Sequence, residues 1–146
     1  MIRTLFLSLL IATGFMSCGQ SAPAIDFGKA ECAHCRMNVV DRQYAAAIST
    51  VKGRQYVFDD ISCMVHFVHT GTIAEDQVAK WHVCDHANPG TLIDATTAFY
   101  LTGPAFRSPM RGDMAAFPTA AARDLVKVEG TTEALDWSGA RAKLAK

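Results

Sequence analysis

Two thiols, an imidazole and a thioether fall within one short stretch, Cys32-Ala33-His34-Cys35-Arg36-Met37. Thiolate and thioether groups are soft ligands, and soft ligands select Cu(I). Cys35 and Met37 are separated by one residue, so both side chains can approach a single ion from an extended or turning segment. Because Cu(I) accepts a low coordination number, the stretch predicts part of a Cu(I) site. Cys35 and Met37 are its main predicted ligands, and Cys32 and His34 are further candidates.

A further ligand is predicted far along the chain, at Met110. It lies in Ser108-Pro109-Met110-Arg111-Gly112, a loop in which proline and glycine restrict the backbone. A methionine in a polar, turn-rich loop is poorly placed for a core. Core filling remains the alternative for both Met37 and Met110, because methionine adapts to irregular gaps.

The Cys32-x-x-Cys35 spacing also occurs in other kinds of site. A thioredoxin-like motif belongs to a βαβ pattern, whereas this sequence predicts a tether before the pair and an extended segment after it. Attachment of c-type haem requires histidine directly after the second cysteine, and Arg36 occupies that position. A thiol-disulfide protein using Cys32 and Cys35 remains the alternative to a copper carrier.

Structural zinc is a second alternative, and it would require further ligands. Cys84 with His86, or Cys63 with His66, could supply them. Otherwise Cys63 and Cys84 are predicted to be partly buried small hydrophobic residues, with accessory copper ligation open to them. His66 and His69 are predicted to be solvated surface residues.

The N-terminus has the features of a lipoprotein signal. Met1-Ile2-Arg3 is followed by an apolar run over residues 5–15, which at about eleven residues is shorter than the roughly 20 that span a bilayer. Residues 1–17 are therefore predicted to be a signal peptide and Cys18 the lipidated residue; an ordinary cleaved signal is the alternative. Residues 18–30 are predicted to be a flexible tether. The protein is thus expected on the extracytoplasmic, periplasmic side of a bacterial membrane, where disulfides can form.

The composition indicates one folded binding protein. The chain has 146 residues, half of them apolar, and a formal net charge of zero. A neutral chain without a basic stripe predicts no nucleic-acid partner. The sequence contains no nucleophile elbow, phosphate loop or H-E-x-x-H motif, so it predicts no enzyme activity. Helix capping accounts for the carboxylate pair Asp59-Asp60.

The first half of the chain predicts a ββαβ unit. Two apolar runs, 44–51 and 55–58, flank a glycine-containing turn and predict a hairpin. Asp59-Asp60 then caps a helix that ends near Gly71 and has one apolar face, formed by Ile61, Met64, Val65 and Val68. Residues 77–85 predict the next strand.

The second half repeats this order more loosely. Strands are predicted at 92–93, 98–102 and 114–117. A helix capped by Thr119 is predicted over 120–128, and a last helix over 137–145 after Asp136. Phe58 and Gly71 are thirteen residues apart, as are Phe117 and Gly130. The predicted fold is therefore α+β, with two small ββαβ-like lobes packed together, about 37–86 and 90–146, in a copper-binding domain over 31–146.

An ordered set of motifs resembles the NosL family. The set comprises Cys35-x-Met37 followed by Asn38, Phe58-Asp59 leading into a helix, Ala98-Phe99-Tyr100, and the Met110 loop that ends in Ala116-Phe117. The resemblance covers about residues 28–128. Members of the family are lipoproteins accessory to nitrous oxide reductase.

The resemblance implies a function and a set of ligands. It implies two ββαβ-like lobes and a Cu(I) site formed by Cys35 and Met37, with Met110 as a further ligand. It also implies copper delivery to nitrous oxide reductase, or to another copper protein, in denitrification. Many members have a single cysteine in the motif, so Cys32 adds either an extra ligand or a disulfide partner.

Overall fold

The computed structural model describes residues 22–146, so the predicted signal peptide and Cys18 lie outside the described residues. Seven strands and three α-helices form the described chain. In order they are β1 (Ala46–Thr50), β2 (Gln55–Phe58), α1 (Ile61–His69), a 3-10 helix (Glu75–Gln77), β3 (Val78–Cys84), β4 (Leu92–Asp94), β5 (Phe99–Thr102), β6 (Met114–Phe117), α2 (Ala120–Asp124), β7 (Glu133–Leu135) and α3 (Trp137–Leu144).

The first sheet has the strand order β2-β1-β3-β4, with every neighbouring pair antiparallel. The β1–β2 hairpin turns at Gly53, which has a φ of 83°, a value that glycine adopts without a steric penalty. Every residue of β1 is buried, since β1 lies in the middle of the sheet. α1 packs on β1 and β2.

The second sheet has the order β6-β5-β7, again antiparallel. In both sheets the first strand of the lobe lies between its hairpin partner and the strand that follows the helix. Gly71 and Gly130, which follow the two equivalent helices, both have a left-handed φ, of 78° and 77°. The predicted α+β fold with two ββαβ-like lobes is therefore confirmed.

Two boundaries differ from the sequence prediction. β4 pairs with β3, so the first sheet extends past the lobe boundary predicted near residue 90. α2 ends at Asp124 rather than at Val128. Leu125 and Val126 lie beyond it with exposed side chains. A short helix depends on tertiary packing for its stability, and the side chains of Leu125 and Val126 are 87% and 43% exposed.

The segment before the cysteine motif packs against the domain. Ile25 and Phe27 are partly buried on the core, and the Gly28 N–H donates to the Val39 carbonyl at 2.8 Å. The prediction of a flexible tether over 18–30 is thus wrong for its last residues, because burial of the Ile25 and Phe27 side chains stabilises this segment against the domain. Within residues 22–146, no helix is long and apolar enough to cross a membrane.

The two sheets meet directly after β3. A parallel bridge pairs Asp85 with Ala116, and the His86 N–H donates to the Ala116 carbonyl at 2.9 Å. The core of buried side chains extends from β1 and α1 to β5 and α3. This connection fixes the position of the Met110 loop, which precedes β6, relative to α1.

Candidate metal centre

The cysteine motif forms a tight loop held against β2. The Cys32 N–H donates to the Met37 carbonyl at 2.8 Å, and the Ala33 N–H donates to the Val57 carbonyl at 2.9 Å. Arg36 closes the loop with a φ of 70°, an uncommon conformation for a residue other than glycine. The backbone of the motif is therefore fixed by one hydrogen bond within the loop and one to β2.

Three thiols and one carboxylate converge beside this loop. The ligand atoms of Cys32, Cys35, Asp59 and Cys63 all lie within 4.8 Å of one another. We call these four residues the thiol cluster. Cys32, Asp59 and Cys63 are 0%, 1% and 2% exposed, whereas Cys35 is half-buried and connects the cluster to the surface.

The start of α1 supplies the carboxylate. Asp60 caps the helix by accepting the Ser62 N–H at 2.8 Å, which leaves Asp59 free for another role. Asp59 Oδ1 accepts the Cys35 thiol at 3.3 Å. Its Oδ2 is buried and accepts no hydrogen bond from residues 22–146, which is costly for a carboxylate oxygen. Capping therefore explains Asp60 but not Asp59.

The three thiols of the cluster differ in acidity. A hydrogen bond from the Cys63 thiol, helped by backbone N–H groups of the motif, lowers the pKa of Cys32 to about 6 although burial opposes it. Burial, together with neighbouring Cys32 and Asp59, raises the pKa of Cys35 to about 11. The hydrogen bond to Cys32 and burial raise the pKa of Cys63 well above its usual range. The hydrogen bond between the two thiols therefore favours the thiolate form of Cys32 and the protonated form of Cys63.

This donor set fits a soft cation. Three sulfurs favour Cu(I) or zinc over magnesium and calcium, which prefer oxygen ligands. The unpartnered Asp59 oxygen is an acceptor that positive charge in the cluster would satisfy. The four cysteines at 32, 35, 63 and 84 are free thiols, so cluster sulfurs are available to bind a metal ion.

A surface cleft of about 370 Å³ opens next to the cluster. Its lining includes His34, Cys63, His66 and Met110. The rings of His34 and His66 stack at 5.9 Å between centroids. His66 therefore contacts the motif, which differs from its predicted role as a solvated surface residue. Cys63 belongs to both the cleft and the cluster, so the cleft leads to the thiols.

The predicted ligands thus occupy three places. Cys32 and Cys35 lie in the thiol cluster, and His34 and Met110 line the cleft. Met37 projects from the motif loop with 54% of its surface exposed, and Met110 is 40% exposed, so neither methionine fills the core.

Two cluster members were not predicted as primary ligands. Cys63 lies in the first turn of α1, and Asp59 lies just before the helix cap. Their close spacing in the sequence, a carboxylate followed four residues later by a thiol, is the signal that could have identified them. The packing of the motif loop against β2, which places the start of α1 beside that loop, is a tertiary feature and leaves no pattern near Cys32.

Cys84 and His86, the second pair of candidate zinc ligands, lie outside the thiol cluster. Cys84 is buried in the core, and burial raises its pKa to about 11. The His86 ring contacts the rings of Tyr44, Phe106 and Phe117. No helix begins at the Cys32-x-x-Cys35 pair, as a thioredoxin-like motif would require.

Asp60 fixes the Met110 loop to α1. Its Oδ1 accepts the Ser62 N–H and its Oδ2 accepts the Met110 N–H at 2.9 Å, in a fully buried position. An asparagine side chain has one oxygen and one NH2 group in place of the two carboxylate oxygens. In either orientation of the amide, the NH2 donor of Asp60→Asn therefore faces one of these two N–H donors. We expect Asp60→Asn to lower the free energy of unfolding by about 1–3 kcal/mol, measured by chemical denaturation.

A matched control for this substitution is Asp94→Asn. Asp94 also accepts an N–H at its Oδ1, from Thr96 at 2.8 Å, but it is an exposed residue at the end of β4. Exposed polar groups can exchange a lost hydrogen bond for water, so this variant should stay close to the unsubstituted protein. Equal losses of stability in the two variants would contradict the proposed role of Asp60.

Together, the fold and the site define a small two-lobed α+β protein with a thiol-rich candidate metal centre. A model of the NosL family matches residues 25–136, most of the chain, and the protein therefore belongs to the NosL family. The predicted family is thus confirmed.

A solved structure shares this fold. It is the crystal structure of the copper chaperone NosL from Shewanella denitrificans, which matches with a TM-score of 0.67 and 18% sequence identity. The match covers 82% of this chain and 94% of that chain. A search of curated proteins finds no match.

Proposed function

We propose that this protein is a Cu(I) carrier and that the thiol cluster holds the ion. The observation that carries the proposal is the convergence of three cysteine sulfurs within 4.8 Å of one another, on a preformed loop and a capped helix. Thiolates are the protein ligands that Cu(I) prefers. Membership of the NosL family, and the copper chaperone that shares the fold, support copper as the cargo.

The surroundings of the cluster suit transfer rather than permanent storage. Cys35 is half-buried, and the cleft beside Cys63 is open to solvent. A recipient ligand can therefore reach the ion before all of the protein ligands have dissociated. We propose that His34 and Met110, in the cleft, and Met37, at the edge of the motif loop, act as alternative ligands during this exchange. A carrier of this kind binds and releases its cargo without catalytic turnover.

The anchor and the recipient are also part of the proposal. The signal features of residues 1–17 and the cysteine at position 18 support an extracytoplasmic protein attached to a bacterial membrane by lipid on Cys18. Family membership supports nitrous oxide reductase, or another copper protein, as the recipient. Metabolic labelling with a fatty acid would test the anchor, because Cys18→Ala should abolish incorporation of the label.

Metal stoichiometry tests the central claim. We expect the reduced protein to bind about one Cu(I) per chain and to retain it in competition with a moderate Cu(I) chelator, because the cluster provides three cysteine sulfurs. Zinc should be displaced when Cu(I) is added. Tight zinc binding without Cu(I) binding, measured by elemental analysis after gel filtration, would refute the carrier function.

A further inference from the structure

The N-terminal segment docks on the domain only a few residues after Cys18. Pro23 is buried, and Ile25 and Phe27 are partly buried on the core. Residues 19–22 are therefore the whole linkage between the proposed lipid anchor and the first docked side chain. Because an extended chain covers at most about 3.3–3.6 Å per residue, position 23 lies within about 18 Å of the Cys18 Cα.

This segment packs at one end of the first sheet. The Arg42 guanidinium lies 4.3 Å from the centre of the Phe27 ring, and the Gly90 N–H donates to the Arg42 carbonyl at 2.8 Å. Residues 22–27 also share a surface cleft with Arg42, Gly90 and Leu92. We call residues 22–27, Arg42 and Gly90 the attachment face. Since β1 and β4 are both antiparallel to β3, this face lies at the end of the sheet where β1 and β4 begin.

The linkage is short compared with the domain. A compact chain of this length has a radius of gyration of about 14 Å, and thus a diameter of about 36 Å. If the attachment face pointed away from the bilayer, the linkage would have to run past the whole domain. Its reach of about 18 Å covers only about half of that distance. The attachment face is therefore confined to the half of the domain that faces the bilayer.

We propose that the short linkage keeps the attachment face against the lipid bilayer that anchors Cys18. The β1–β2 turn, at the opposite end of the first sheet, then points away from the bilayer. This inference rests on the lipid anchor in the proposed function. The partner is the bilayer surface itself, because the covalent linkage leaves no room for another protein between that surface and the attachment face.

The thiol cluster lies at the same end of the first sheet. Ala46, the first residue of β1, pairs with Phe58, the last residue of β2. Asp59 of the cluster follows Phe58 directly, and the other cluster ligands lie within 4.8 Å of its carboxylate. The metal centre is thus kept close to the bilayer surface, so that copper is loaded and released there.

The test uses the full lipidated chain in vesicles of phosphatidylethanolamine and phosphatidylglycerol. A small fraction of the phosphatidylethanolamine carries an amine-reactive ester on its head group as the probe. Lys29, beside the attachment face, and Lys52, in the β1–β2 turn, are both exposed. Mass spectrometry of proteolytic peptides measures the lipid conjugate at each lysine, normalised to labelling by a soluble amine-reactive ester.

We expect at least about tenfold more conjugate at Lys29 than at Lys52, because the five residues of β1 alone extend over about 17 Å. Equal labelling of the two lysines, or more labelling at Lys52, would overturn the proposal. A ten-residue Gly-Ser insertion between Ser21 and Ala22 adds about 35 Å of reach and should bring the ratio close to one. An unchanged ratio after this insertion would also overturn the proposal.

The same Gly-Ser segment added after Lys146 is the matched control, and it should leave the labelling ratio unchanged. Flotation with the vesicles separates the two claims. A chain that neither floats nor carries a fatty acid would refute the proposed anchor and this inference with it. A chain that floats but labels Lys29 and Lys52 equally would refute the inference alone and leave the anchor in place.

Discussion

Raising the pH from 7 to 9 should increase the apparent affinity for Cu(I) about 10⁴-fold. The pKa of Cys35 is about 11, and that of Cys63 is raised above its usual range, so both thiols are protonated across this interval. Cys32, with a pKa of about 6, is already a thiolate. Binding to three thiolates must then displace two protons, and each displaced proton changes the apparent constant about tenfold per pH unit.

Competition with a Cu(I) chelator of known pH dependence would measure this slope. A slope of about two log units per pH unit indicates that both protonated thiols become ligands. Cys35→Ala should lower the slope to about one, because one displaceable proton is lost and the Cys63 hydrogen bond that lowers the pKa of Cys32 is retained. A pH-independent affinity in the unsubstituted protein would contradict a three-thiolate site. It would instead favour thioether ligands such as Met37 and Met110, which carry no proton.

Removing Cys63 should lower the affinity for Cu(I) by about 100-fold or more. Loss of an outer-sphere partner of a metal ligand typically costs about 10–100-fold in affinity, and loss of a ligand itself should cost at least as much. Cys63 is the decisive position, because it belongs to no motif around Cys32 and Cys35 and reaches them only through the fold. The affinity of Cys63→Ala is measured at constant pH by chelator competition.

Cys84→Ala is the matched control for this variant. Cys84 is also a buried free thiol, at 0% exposure, but it lies outside the thiol cluster. Both substitutions remove one buried sulfur and leave a similar cavity, so their effects on stability should be comparable. Their effects on Cu(I) should differ, with Cys84→Ala remaining near the unsubstituted affinity. Equal Cu(I) affinities in the two variants would exclude Cys63 as a ligand.

Local patterns in the sequence were sufficient for most of the elements. The apolar runs of the strands, the Asp59-Asp60 and Thr119 caps, and the equal spacing from Phe58 to Gly71 and from Phe117 to Gly130 predicted both ββαβ units. These are short-range effects that depend on backbone conformation and on residues close in the chain. The predicted end of α2 at Val128 was wrong, because whether Leu125 and Val126 pack against the rest of the protein depends on the tertiary structure, and there they are exposed.

The candidate site divides in the same way. The sequence by itself determined that Cys32 and Cys35 are close together, because both lie in one short loop. The grouping of Cys63 and Asp59 with them was decided only by the tertiary structure, which places the start of α1 beside that loop. Which carboxylate caps the helix and which faces the thiols also depends on this packing. Spacing along a chain constrains near neighbours, whereas a site assembled from distant segments exists only after the sheets and helix have packed.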